Sequence, residues 1–123
     1  MFKVTIREAS KEMTARERIK FKDISNTESL DKLVTPGNGI EIKPVAFAIL
    51  DVENDRADEG SYVKYIIEDN NGILYSTGSD SFFNTFYLIH SEMQESGEDY
   101  TLLIMKKESK NYSGKHFLTC TIK

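Results

Sequence analysis

The stretch Gly39-Ile-Glu-Ile-Lys-Pro-Val-Ala-Phe-Ala-Ile-Leu-Asp-Val52 decides the fold. In an extended chain from Ile40 to Val52, Val45, Phe47 and Ile49 point one way and Ala46, Ala48 and Leu50 the other. A strand that is apolar on both faces has to be covered on both. A sheet closed on itself achieves this without leaving a long apolar edge. Pro44 lacks an N–H and therefore marks an edge, a bulge or a bend in the strand.

Downstream, Glu53 to Gly60 is a polar loop, and Ser61 to Asp69 is a second strand rich in β-branched and aromatic residues. Asn70-Asn71-Gly72 supplies a tight hairpin turn into a third strand, Ile73 to Thr77. After Gly78 the apolar period lengthens to that of a helix. Ser79 or Asp80 caps it, Phe82, Phe86, Ile89 and Met93 form its core stripe, and Gly97 ends it. Tyr100 to Lys107 reads as a fourth strand and His116 to Ile122 as a fifth, with a loop between them.

Upstream, Phe2, Val4 and Ile6 alternate with polar residues as a half-buried strand does, and Ile19-Lys20-Phe21-Lys22 repeats the alternation briefly. Glu8 to Arg18 reads as a loop or short helix, and Asn26 to Val34 as a helical turn or more. Thr35-Pro36-Gly37-Asn38-Gly39 is the strongest breaker in the chain. From residue 40 the order is strand, strand, strand, helix, strand, strand. It matches a five-stranded Greek-key barrel of OB type, with its helix between strands 3 and 4. The same order also fits a small α+β sandwich. The expectation is therefore a mainly β, single-domain chain over residues 1–123, with an OB-like core at 34–123. Residues 1–33 are an extension that adds strands, an arm or an oligomer contact.

At 123 residues the chain suits one domain with a real core. No apolar run approaches the roughly 20 residues of a membrane span, and the N-terminus lacks the apolar core of a signal peptide, so a cytoplasmic location is expected. The single cysteine, Cys120, makes no internal disulfide, and with two histidines the chain has no zinc-ligand cluster. No metal or cofactor is expected.

Charge is uneven. Residues 1–22 carry seven Lys/Arg against three Asp/Glu, for +4; residues 23–100 carry four against sixteen, for −12; residues 101–123 carry five against one, for +4. The total of −4 argues against a protein that coats duplex DNA by charge alone. It leaves open single-strand binding, where stacking on aromatic rings supplies much of the affinity.

Catalytic devices are poorly represented. Only His90 and His116 offer an imidazole, and each reads as an ordinary helix or strand-end residue. Ser113-Gly114-Lys115 lies between two strands, not between the strand and helix of a phosphate loop. The carboxylates of Glu53 to Glu59 lack the spacing and closing Glu of a calcium loop and read as a solvated acidic loop.

Aromatic residues interleaved with lysines are the more informative pattern. Tyr62, Lys64 and Tyr65 lie on the second strand and Tyr75 on the third. Lys106, Lys107, Lys110, Tyr112, Lys115 and Phe117 span the connection between the last two strands. In an OB-type barrel these places face the ligand. Tyr65 shares its strand face with Val63 and Ile67 and is as well suited to a core as to a platform, whereas Tyr62 shares one with Lys64 and Glu68 and favours solvent. If Leu118, Cys120 and Ile122 point inward, Phe117 points out with Thr119 and Thr121. If Leu74 is core, Tyr75 faces the groove.

From Val34 to the C-terminus the chain resembles the small single-stranded DNA-binding proteins of protein-primed tailed phages. The resemblance is carried by Gly39-Ile-Glu-Ile42 with Val45, Ala46 and Ala48, by Gly72-Ile-Leu74-Tyr75-Ser76, by the Ser/Thr-rich entry to the helix, and by Ser113-Gly-Lys-His-Phe117. It implies an OB-type fold and tyrosines that contact the strand, one of them at Tyr75. Two further tyrosine positions of the family fall on Ile49 and Arg56, and Arg56 is carried with the site.

The sequence thus favours a non-enzymatic protein that coats displaced single strands during phage DNA replication, in the host cytoplasm, with self-association as a further expectation. The alternative from another class is a small phage or plasmid protein that binds a host protein through its acidic central region.

Overall fold

The computed structural model of the chain describes residues 2–54, 60–109 and 114–123. In chain order these form β1 (Phe2–Ala9), α1 (Ala15–Lys22), β2 (Glu28–Ser29), α2 (Leu30–Leu33), β3 (Ile40–Ile42), β4 (Pro44–Asn54), β5 (Ser61–Asp69), β6 (Leu74–Thr77), α3 (Asp80–Ser96), β7 (Leu102–Glu108) and β8 (His116–Ile122). The chain is mainly β. Its strands fall into two sheets, of order β1-β4-β5-β6-β2 and β3-β7-β8, and among the described residues neither closes into a barrel. The stretch read as one strand, Ile40 to Val52, is two. Lys43 separates them, with Pro44 at the break, and β3 and β4 join different sheets. Ala46, Ala48, Leu50 and Val52 are buried on one face of β4, whereas on the other Phe47 is buried, Ile49 half-buried and Val45 48% exposed.

Two compact units result, Met1–Ser29 with Val45–Gly78, and Leu30–Pro44 with Ser79–Lys123. β1 and β2, both from the segment before Leu30, are thus strands of the larger sheet. β1 runs antiparallel to β4, with Val4 opposite Val52 and Ile6 opposite Leu50, and its register shifts between Ile6 and Glu8. β2 adds to β6 in parallel, Glu28 opposite Tyr75 and Ser29 opposite Ser76. Ala46, Ala48, Leu50 and Val52 of β4 pack with Ile66, Leu74 and Phe21 as one buried cluster.

Phe21 reaches that cluster from a helix, not from the strand that the Ile19–Lys22 alternation implies. Thr14 caps α1, its hydroxyl accepting from Glu17 N while the Glu17 carboxylate accepts from Thr14 N. Lys11 and Thr14 together hold the Glu17 carboxyl down at about 2. In the helix Phe21 turns inward at 1% exposure and Ile19 outward at 69%, a split that i and i+2 cannot show on a strand.

In the second unit, β7 runs antiparallel to both β3 and β8. α3 packs against β8 and buries Phe82, Phe83, Phe86 and His90, while Ile89 and Met93 are half-buried. Ser79 accepts from Phe82 N at its start, and Gly97, at φ 74°, ends it by donating to Met93 O and Gln94 O. Full burial of a ring such as Phe86 contributes about 1.5–3 kcal/mol. Among the described residues no helix is long and apolar enough to cross a membrane.

Candidate nucleic-acid interface

Strand alternation splits the β3-β7-β8 sheet into two unlike faces. On one, Ile42, Leu102, Ile104, Leu118 and Cys120 are buried. On the other, β7 presents Leu103, Met105 and Lys107, and β8 presents Thr121, Thr119 and Phe117 directly opposite them. Phe117 is 45% exposed, and the residue across from it is the exposed Lys107. Met105 and Thr119, half-buried, continue the surface beneath them.

Gly39 lets β3 close onto this sheet. A Cβ there would lie 2.8 Å from the carbonyl oxygen of Ile104, a backbone atom that cannot swing away. The connection after β7 is held by Ser109 N donating to Lys115 O at 2.8 Å and by Gly114 N donating to the Glu108 carboxylate at 3.1 Å. The exposed Lys115 is thus fixed one residue from the start of β8.

The sequence-derived residues divide between the units. Lys107 and Phe117 come together as described, and Lys115 lies two residues before Phe117 in the chain. Lys106 does not join them: it sits opposite Leu118, on the other face, and its ammonium donates to Asp31 O at 2.6 Å. Lys110, Tyr112 and Arg56 lie outside the described residues. In the first unit Tyr62 is 41% exposed, and Lys64, two residues on, is half-buried.

Tyr65 and Tyr75 are core residues, at 9% and 8% exposure. The expectation that Tyr75 faces an open groove because Leu74 is core is corrected. β6 lies between β5 and β2, and all four of its residues are buried, so alternation sends Leu74 and Tyr75 to two covered faces. The Tyr75 hydroxyl donates to Asp69 Oδ2 at 3.0 Å. Burial, reinforced by that carboxylate, pushes the phenol up to about 12.

Part of the basic N-terminal segment is likewise engaged locally. Arg7 pairs with Asp51, Lys11 with Glu17 and Glu68, and Lys20 with Glu68. A depression of about 410 Å³ beside Lys20 is also lined by Asp23 and Glu28, so its charge does not suit a phosphate. Among the described residues no group of three or more His, Cys, Asp or Glu is placed to hold a metal ion.

Sequence reasoning missed three features. Met105 as part of the outer face was readable from the β7 alternation. Asp69 as the organiser of the hairpin was signalled by its place before Asn-Asn-Gly, since its Oδ1 accepts from both Asn71 N and Ile73 N at 2.9 Å. The third had no local signal: His90 Nδ1 lies 2.6 Å from the Tyr100 hydroxyl, both buried, with the imidazole stacked on Phe86 at 5.2 Å. Desolvation lowers the pKa of His90. Burial similarly pushes the Cys120 thiol up to about 12, which leaves it protonated and unreactive at neutral pH.

Family models, curated proteins and solved structures were each compared with the chain, and none matches it.

Proposed function

We propose that the chain binds single-stranded DNA without sequence specificity, through the outer face of the β3-β7-β8 sheet, and coats displaced strands during phage DNA replication. One observation carries the reading: an exposed aromatic ring, Phe117, stands directly across the sheet from an exposed lysine, Lys107. A ring face accepts any base by stacking, worth about 1–3 kcal/mol per base, and a lysine within one side chain's reach meets the adjoining phosphate. Lys115, two residues before Phe117, adds a second positive charge to the segment, and residues 101–123 carry +4 within a chain of net charge −4. The platform is small and locally basic, so it favours a flexible single strand over a duplex. The order β4, β5, β6, α3, β7, β8 is that of an OB-type core, and an open arrangement of this type is part of the same proposal.

Titration of fluorophore-labelled oligo-dT at two salt concentrations tests the reading. The expected result is binding much tighter than to duplex of equal length, weakened by salt but less steeply than for a basic duplex binder. Failure to bind single strands at low salt, with a host protein co-purifying instead, would move the assignment to a protein-binding role.

A further inference from the structure

From Tyr65 to Met105 the chain holds seven Asp/Glu and no Lys or Arg. Four of the seven gather at one end of α3: Glu92 and Glu95 lie in its last two turns, and Glu98 and Asp99 follow Gly97 directly. A helix C-terminus is already the negative end of its macrodipole, and no basic residue stands in the last turn. All four residues are exposed, and among the described residues none of their carboxylates has an ion-pair partner. Their placement works against the stability of the helix.

An exposed apolar residue adjoins them. Leu88, Ser91, Glu92 and Glu95 follow at i, i+3, i+4 and i+7 and so share one face of α3, opposite the buried Phe82, Phe86 and His90. Leu88 is 69% exposed, and Tyr87, 40% exposed with its ring beside Phe83 at 6.1 Å, flanks it.

We propose that this face of α3 docks a basic segment of a partner protein, with lysine or arginine side chains meeting Glu92, Glu95, Glu98 and Asp99 and an apolar residue covering Leu88. Charge complementarity selects the occupant. The face repels nucleic acid and anionic lipid, and it repels the same face of a second copy. Among the described residues no group of three or more His, Cys, Asp or Glu is placed to hold a metal ion, so the carboxylates suit charges spaced along a chain. The face shares no residue with Lys107 and Phe117, and oligo-dT titration remains an independent measurement.

Fluorescence anisotropy of a labelled amphipathic peptide of lysine and leucine, added to the full chain without nucleic acid, tests this. Binding is expected, and it should weaken as salt rises. Glu92→Gln, Glu95→Gln, Glu98→Gln and Asp99→Asn combined should weaken it about tenfold or more, and Leu88→Ala about 5- to 10-fold. Glu12→Gln with Glu53→Gln, which neutralises exposed acids elsewhere, should leave it nearly unchanged. Because the four carboxylates oppose the helix dipole, their neutralisation should leave the urea midpoint unchanged or higher. Loss of affinity in simple proportion to the charge removed, wherever it is removed, overturns the proposal, since any acidic chain attracts a polycation. So does a Leu88→Ala variant that binds the peptide as tightly as the unaltered chain. A lower urea midpoint in the neutralised variant overturns it too, because the carboxylates would then serve the fold.

Discussion

Tyr75 and Asp69 are joined across the β5–β6 hairpin by a 3.0 Å hydrogen bond, in which the buried phenol donates to the carboxylate oxygen that the turn leaves over. The other carboxylate oxygen is taken by the backbone N–H groups of Asn71 and Ile73. Asp69, 4% exposed, is thus satisfied entirely from within its own hairpin, and Tyr75 is a structural residue.

Tyr75→Ala is therefore expected to lower unfolding stability by about 3 kcal/mol, through the cavity and the abandoned carboxylate together. Tyr75→Phe keeps the ring and isolates the second effect, at about 1–3 kcal/mol. Urea unfolding of the two variants checks both values. Affinity for oligo-dT per folded molecule should be unchanged in each.

Phe117→Ala is expected to do the reverse. With the ring 45% exposed, its removal should cost under about 1 kcal/mol of stability. Binding of oligo-dT should weaken by about 1–3 kcal/mol, or roughly 5- to 150-fold. Fluorescence titration beside urea unfolding separates the two readouts.

Lys107→Gln should leave the fold intact and reduce the slope of log affinity against log salt by about 0.7, the value for one phosphate contact on a single strand. Lys106→Gln should not change that slope, because the Lys106 ammonium is bound to Asp31 O. Titration at several salt concentrations distinguishes these neighbours.

Acidification should destabilise the chain through His90. Desolvation lowers its folded pKa below the ordinary 6.5, so the unfolded chain takes up the proton first. The contribution is fully present above about pH 6.5 and is lost as pH falls below it. His90→Gln should remove this component, seen as a smaller fall in the urea midpoint between about pH 7.5 and pH 5 than in the unaltered chain.

Gly39→Ala should cost about 1–3 kcal/mol, because the new methyl group meets the Ile104 carbonyl at 2.8 Å and β3 would have to lift from β7. Thermal unfolding followed by circular dichroism checks it.

Local chemistry made several elements legible in the sequence. Ser61–Asp69 and His116–Ile122 are strands with those bounds because β-branched and aromatic residues fill them and turn residues flank them. α3 was readable from its serine cap, its phenylalanine spacing and Gly97. The outward position of Phe117 followed from alternation against Leu118 and Cys120, although Ile122, expected inward with them, is 43% exposed at the strand end. α1 begins within Glu8 to Arg18, which reads as a loop or short helix. Its second half was misread because two alternating apolar residues outweighed the Thr14–Glu17 capping box, a signal that is local and was present in the sequence.

Other outcomes depended on partners distant in sequence. Alternation specifies that Leu74 and Tyr75 face opposite sides, but whether both sides are covered depends on β2, some 45 residues earlier, adding to β6. Lys106 and Lys107 look alike in the chain, and only the pairing of β7 with β8 sends one toward Asp31 and the other to the open face. The sequence by itself determined β1, β5, β6, β7 and β8, the long helix and the alternation that turns Phe117 outward, because these rest on backbone preferences over a few residues. Residues 26–34, expected as helical, hold β2 before α2. The tertiary structure decided that Ile40–Val52 divides at Lys43 between two sheets, and which aromatics remain exposed, because burial is fixed by which distant strand arrives alongside.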